Sequence, residues 1–132
     1  MEIKTGIKNT KQITVEEKDT ALSYGSGTLR VFATPAMTAL MENTAMNAAA
    51  PYLEEGEATV GTEINIRHLS ATPVGGTVTC EAELTEADGR RLVFSVKAFD
   101  NAGLIGEGTH ERFVIKTEKF LAKTYDKLNS TK

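Results

Sequence analysis

Five side chains stand out among those that can move protons or hold charge: Thr34, Glu42, His68, His110 and Arg112. Glu42 is the only charged residue from Ala36 to Ala50. An ordinary surface helix would carry several charges and i, i+4 pairs. A lone carboxylate in such a stretch lies either on a narrow exposed edge or partly buried, and burial suits it to base or nucleophile chemistry near neutral pH. Thr34 precedes Pro35 and reads as a helix cap, or as part of a site where orphan backbone N–H groups meet a carbonyl oxygen or a developing oxyanion. Eight residues separate Thr34 from Glu42, roughly 12 Å of helix rise. A helical Glu side chain leans toward the N-terminus, which narrows that gap without ensuring contact. His68 ends an alternating series with Ile64 and Ile66. It reads as a core histidine satisfied by one hydrogen bond, or as a general acid/base facing the helix N-terminus or an intersubunit cleft. His110 faces the same way as Arg112, whose guanidinium could bind phosphate or carboxylate; pairing with a surface acid is the plainer reading.

Other chemistries are excluded by what is missing. There is no Gly-x-x-x-x-Gly-Lys-Ser/Thr loop and no Gly-x-Ser-x-Gly elbow, and Gly106-Glu107-Gly108 is too short for a dinucleotide fingerprint. Cys80 is the single cysteine, so an intramolecular disulfide is impossible. With only two histidines, far apart, no metal site is expected. A net charge of −3, with basic residues scattered and densest in the Lys116–Lys132 tail, speaks against a nucleic-acid partner. The first residues are too polar for a signal peptide, and no apolar run approaches a membrane span, so the expected location is cytoplasmic, away from membranes. Asn129-Ser130-Thr131 has the form of a glycosylation acceptor, which carries no weight without an export signal.

The elements that must position these residues follow from periodicity. The chain of 132 residues, 40% hydrophobic and 25% charged, suits a single globular domain spanning 1–132. Ile3–Glu17 is polar and β-like, and Lys18–Leu29 reads as a loop around Gly25-Ser26-Gly27. Thr34-Pro35 opens the one strong helix, in which Met37, Leu40, Met41, Thr44, Ala45 and Ala48 form a buried stripe; Pro51 ends it. After Gly56 the period becomes two. Val60, Thr62, Ile64, Ile66 and His68 are expected on one face; Val78, Cys80, Ala82 and Leu84, then Leu92, Phe94, Val96 and Ala98, continue on later strands. Asp88-Gly89 and Asp100–Gly103 are turns. A last strand runs from about Leu104 to Lys116, and residues from about 118 read as a short terminal helix or a flexible tail. Strand, helix and four antiparallel strands make an α+β layer, a sheet curled around one long helix. Open sheet edges and a poorly covered helix side call for a homodimer, with pairing of dimers into a tetramer left open.

Taken together, Val31-Phe32-Ala33-Thr34, Leu40-Met41-Glu42, Ala50-Pro51-Tyr52-Leu53-Glu54, Gly61-Thr62, His68, Gly108-Thr109-His110-Glu111-Arg112 and Glu118-Lys119-Phe120 resemble, in order and spacing, the fluoroacetyl-CoA thioesterase-like hot-dog proteins. The resemblance implies a thioester hydrolase that releases a short or small acid and CoA. It implies a Thr34, Glu42 and His68 catalytic set at a dimer interface, Gly61 and Arg112 as substrate-binding residues, no metal and no cofactor, CoA being part of the substrate. The segment before the helix departs from the pattern. Ala21–Arg30 holds Tyr24 and glycines where the fluoroacetyl-specific enzyme has a phenylalanine lid, which separates the implied chemistry from the implied substrate. A non-catalytic acyl-CoA-binding or sensor protein is the rival reading. An enoyl-CoA hydratase would need an Asp and a His at the helix, where this chain has Glu42 alone.

Overall fold

The computed structural model describes residues 2–129; Ser130 and Thr131 of the glycosylation-like triplet lie outside them. The strands are β1 (Lys8–Thr14), β2 (Glu57–His68), β3 (Thr77–Asp88), β4 (Arg91–Asp100) and β5 (Gly103–Lys116). They form one antiparallel sheet in the order β1-β3-β4-β5-β2, so β1 and β2 are its edges. The helices are α1 (Ala21–Tyr24), α2 (Thr34–Ala49) and α3 (Thr117–Tyr125). The residues expected as a loop before the long helix thus contain a short helix, capped by Thr20, whose side chain accepts from the Ser23 N–H. The chain beyond the last strand is helical.

Helix α2 lies across one face of the sheet. Its buried residues are Ala36, Met37, Leu40, Met41, Thr44, Ala45, Ala48 and Ala49, which contain the whole stripe read from the periodicity. The sheet answers with Val78, Cys80, Ala82 and Leu84 from β3 and Leu92, Phe94, Val96 and Ala98 from β4, all buried. Alanines on the helix and glycine on the sheet bring the two layers close: a Cβ on Gly106 would stand 2.5 Å from the Met37 sulfur. Asn9 Nδ2 donates to the Thr44 carbonyl at 3.1 Å, tying β1 to the helix.

Strand β2 does not keep the expected alternation. Its register against β5 shifts between Gly61 and Glu63: Gly61 pairs with Arg112 and Glu63 with Glu111. Thr62 is the extra residue of a bulge, and its hydroxyl donates to a Glu111 carboxylate oxygen at 2.7 Å. Val60 and Thr62 therefore do not share the face of Ile64, Ile66 and His68. Gly61 does, because the added residue reverses the parity of everything after it. This edge strand carries both Gly61 and His68.

Candidate active site

The structure gathers the five singled-out side chains into two clusters. The first is at the start of α2. Thr34 Oγ1 and His68 Nδ1 share a hydrogen bond of 2.8 Å. Thr34 is not the helix cap expected of it: Ala33 holds the N-cap position without a side-chain bond, Thr34 is the first helical residue and Pro35 the second. The His68 ring, in reach at the end of β2, takes the hydroxyl that would otherwise bond the helix backbone. Ala33 N–H donates to the Asp19 carbonyl and Met37 N–H to the Ala33 carbonyl. Proline has none to give, so the Thr34 and Ala36 N–H groups are left without a helical acceptor.

His68 is only partly exposed, and the edge of the Phe32 ring meets it at a centroid distance of 6.4 Å and an angle of 82°. Its Nε2 is buried with no hydrogen-bond partner among the described residues. Desolvation pushes the imidazole below its ordinary value, and the polar backbone of nearby Ser70 offsets part of that shift. A recess of about 350 Å³ opens beside the pair, lined by Ala21, Val31, Phe32, Leu69 and Ala71 among others. Its wall is mostly small, mixing apolar side chains with Ser26 and Ser70.

The second cluster lies beneath the middle of α2. Glu42 is half-buried on the helix flank. It faces the surface of β2 and β5 where Gly61 leaves room: a Cβ there would meet Glu42 Oε2 at 3.1 Å, His110 Cε1 at 3.1 Å and Arg112 Nη1 at 3.4 Å. Arg112 is not the surface residue that the plainer reading made it. It is 6% exposed and His110 1%, because both sit on the helix side of β5, opposite Leu92 and Phe94. A buried guanidinium needs acceptors. Arg112 Nε donates to Thr59 Oγ1 at 2.8 Å, and Nη2 to the Thr59 carbonyl at 2.9 Å. Nη1 stands 3.1 Å from His110 Nε2. Burial lowers the affinity of both His110 and Arg112 for their protons, while the Glu42 charge opposes that shift in each.

Within one chain, then, Thr34 meets His68, and Glu42 meets Gly61, His110 and Arg112, but the clusters stay apart. Gly61 and His68 are seven residues apart on one strand, roughly 20 Å. Sequence reasoning left His110 out of the site; its buried neighbour Arg112 and the even spacing between them were the available signal.

The whole of this arrangement falls within a match to the family model described as fluoroacetyl-CoA-specific thioesterase, which covers residues 15–118. The chain belongs to the fluoroacetyl-CoA-specific thioesterase family. It is 54% identical over 97 residues to the fluoroacetyl-CoA thioesterase of Streptantibioticus cattleyicolor, covering 74% of this chain and 70% of that protein. The crystal structure of a fluoroacetyl-CoA thioesterase superposes with a TM-score of 0.90 at 43% identity, over 96% of this chain and 98% of that one. A thioesterase superfamily member from Thermus thermophilus follows the same path at 27% identity and a TM-score of 0.88, over 98% of this chain and 95% of its own. Family and fold agree with the reading from sequence: a thioester hydrolase of the hot-dog fold. Among the described residues no helix is long and apolar enough to cross a membrane.

Proposed function

We propose that this protein hydrolyses a small acyl-CoA thioester to the free acid and CoA, in a site that two copies of the chain build together. The observation that carries the reading is the Thr34–His68 pair at the N-terminus of α2, with His68 Nε2 buried and unpartnered. A buried imidazole nitrogen without a partner is costly in an enzyme at rest and useful once a substrate supplies the other end of the bond. The acyl carbonyl lies against the free Thr34 and Ala36 N–H groups, which take up the negative charge of the tetrahedral intermediate. The recess lined by Ala21, Val31, Phe32 and Leu69 holds the acyl group, and its size suits a short one. The curated relative acts on fluoroacetyl-CoA, and one related crystal structure contains fluoroacetate and CoA. Here Ala21–Arg30 has no phenylalanine, so the small acyl group need not be fluorinated.

The carboxylate comes from the partner. Glu42 is out of reach of His68 in its own chain, and β2 has an open edge along its whole length. Antiparallel pairing of β2 with its two-fold mate brings the His68 end of one strand toward the Gly61 half of the other. Glu42, backed by Gly61 and Arg112, then faces Thr34 and His68 of the second copy. Glu42 either takes a proton from the attacking water, which passes through His68 to the departing CoA sulfur, or attacks the carbonyl carbon and expels CoA thiolate to form an anhydride; in that route His68 takes the proton of the water that opens the anhydride and gives it to the CoA thiolate. Label from ¹⁸O-water entering the Glu42 carboxylate in a single turnover selects the anhydride opened at the Glu42 carbonyl.

Mixing tests the shared site. Glu42→Ala and His68→Ala are each expected to be inactive dimers. Unfolded and refolded together at equal amounts, half of the dimers become mixed, and each mixed dimer holds one intact site, so about a quarter of wild-type activity returns. No recovery from dimers shown to have mixed would place all three residues in one chain. Binding of CoA esters without turnover by the wild type would favour a sensor.

A further inference from the structure

The second cluster fixes the protonation of His110 by chemistry alone. Its Nδ1 lies 2.8 Å from the Glu63 carbonyl oxygen. A carbonyl only accepts, so Nδ1 carries the hydrogen. Its Nε2 lies 3.1 Å from Arg112 Nη1. A guanidinium only donates, so Nε2 presents its lone pair. His110 is thus a neutral imidazole with a single tautomer. A second proton would set a donor against a donor and a cation against a cation, at a site 1% exposed to water.

We infer that His110 is a positioning residue for the thioesterase site, its Nε2 holding the Arg112 guanidinium in the orientation that turns it to the bound thioester and keeps it from pairing with Glu42. Three acceptors define the plane of that guanidinium: Thr59 Oγ1, the Thr59 carbonyl and His110 Nε2. Both Thr59 atoms bond the Nε and Nη2 side, which leaves the Nη1 edge to His110. That edge faces Gly61, on whose other side Glu42 stands: a Cβ there would meet Arg112 Nη1 at 3.4 Å and Glu42 Oε2 at 3.1 Å. Without the lone pair, the charged end of Arg112 is free to swing toward the Glu42 carboxylate and neutralise it as an ion pair. The groups with charge facing His110 are Arg112 on β5 and Glu42 on α2; from β2 it meets the backbone of Glu63. The inference rests on the reading of Glu42 and Arg112 as parts of the active site.

Three substitutions in the full dimeric protein separate this role from simple packing. His110→Gln sets an amide oxygen at the ε position, in reach of Arg112. His110→Asn sets its amide at the δ position, where it can bond the Glu63 carbonyl but offers Arg112 nothing. His110→Phe keeps the shape and removes both bonds. With acetyl-CoA at pH 8, Asn and Phe are expected to lower kcat/KM about 10- to 100-fold, and Gln by less than about threefold. Long-range ¹⁵N–¹H spectra of the wild-type imidazole are expected to show Nδ1–H and a bare Nε2 at pH 7.5. The Arg112 side-chain N–H signals are expected to be protected from exchange in wild type and Gln, and unprotected in Asn and Phe. Equal activity and equal Arg112 protection in all three variants would overturn the role, as would an Nε2–H imidazole. Should the wild type turn over no acyl-CoA ester, the functional reading falls on its own, while the imidazole and Arg112 signals still decide whether His110 holds the guanidinium.

Discussion

Gly61→Ala is a small change at the point where the second cluster is tightest. Gly61 is absent from the glycines with positive φ, so the backbone accepts alanine and any effect comes from the added methyl group. That methyl would lie 3.1 Å from Glu42 Oε2, 3.1 Å from His110 Cε1 and 3.4 Å from Arg112 Nη1. Carbon contacts relax at about 3.5–4.0 Å, so the neighbours must yield by about 0.4 Å or more. Arg112 is held by three hydrogen bonds and His110 by the Glu63 carbonyl. Glu42 is bound by none of these and moves first.

A misplacement of about 1 Å costs on the order of 100-fold in rate, so a shift near half that size costs about tenfold. Overpacking of this kind costs about 1 kcal/mol of stability, the low end of its range. The assay is steady-state release of CoA thiol from acetyl-CoA, with a urea titration of the same protein. kcat/KM about tenfold lower in a variant that is still fully folded is the expected result. Turnover within about twofold of wild type, with the methyl group accommodated, would refute the claim that Glu42 must stand where Gly61 lets it stand.

The other predictions follow from single contacts. Thr34→Val keeps the shape and removes the partner of His68 Nδ1; kcat is expected to fall about 10- to 100-fold with a smaller change in KM, read in the same assay. Gly106→Ala drives a methyl group into the Met37 thioether and to 3.0 Å from the Arg67 carbonyl; urea unfolding is expected to show a loss of about 1–3 kcal/mol. His68 and His110 both bind protons more weakly folded than unfolded. Their contribution to stability is therefore complete above the unfolded value of about 6.5 and is lost as pH falls from there toward the folded-state values. Thermal melts at pH 8 and pH 5.5 should show the decline, and His110→Gln should flatten part of it.

The helix and its buried stripe were legible because Thr34-Pro35 and Pro51 bracket a run of strong helix formers whose apolar residues repeat at helical spacing. The β3–β4 core was legible because Val78–Leu84 and Leu92–Ala98 alternate without a break. The residues of the first cluster were nameable, but their contact was not: Thr34 and His68 are 34 positions apart, and only the packing of α2 against the end of β2 brings them together. The residue pattern alone made Arg112 a surface residue, because burial of a guanidinium depends on acceptors from elsewhere and Thr59 lies on another strand. Short helix α1 was missed because its four residues carry no periodicity; the Thr20 cap was the one local signal.

The bulge at Thr62 is where sequence reading and function diverge most. Gly61 and His68 are an odd number of residues apart, and in a regular strand they would point to opposite faces. A site that needs both facing the helices cannot be built on such a strand. One inserted residue reverses the parity, so that Gly61 faces α2 beside Glu42 while Ile64, Ile66 and His68 face it farther along. The same residue bends an edge strand that the proposed dimer must pair with its own copy. Alternation read strictly from His68 backwards places Val60 and Thr62 inward and hides Gly61 from its own site. The mismatch between a period-two pattern and the positions that chemistry requires is thus itself a sign of the bulge. Thr62, fastened to Glu111 on the outer face, is the residue that would let one edge strand serve both halves of the proposed site.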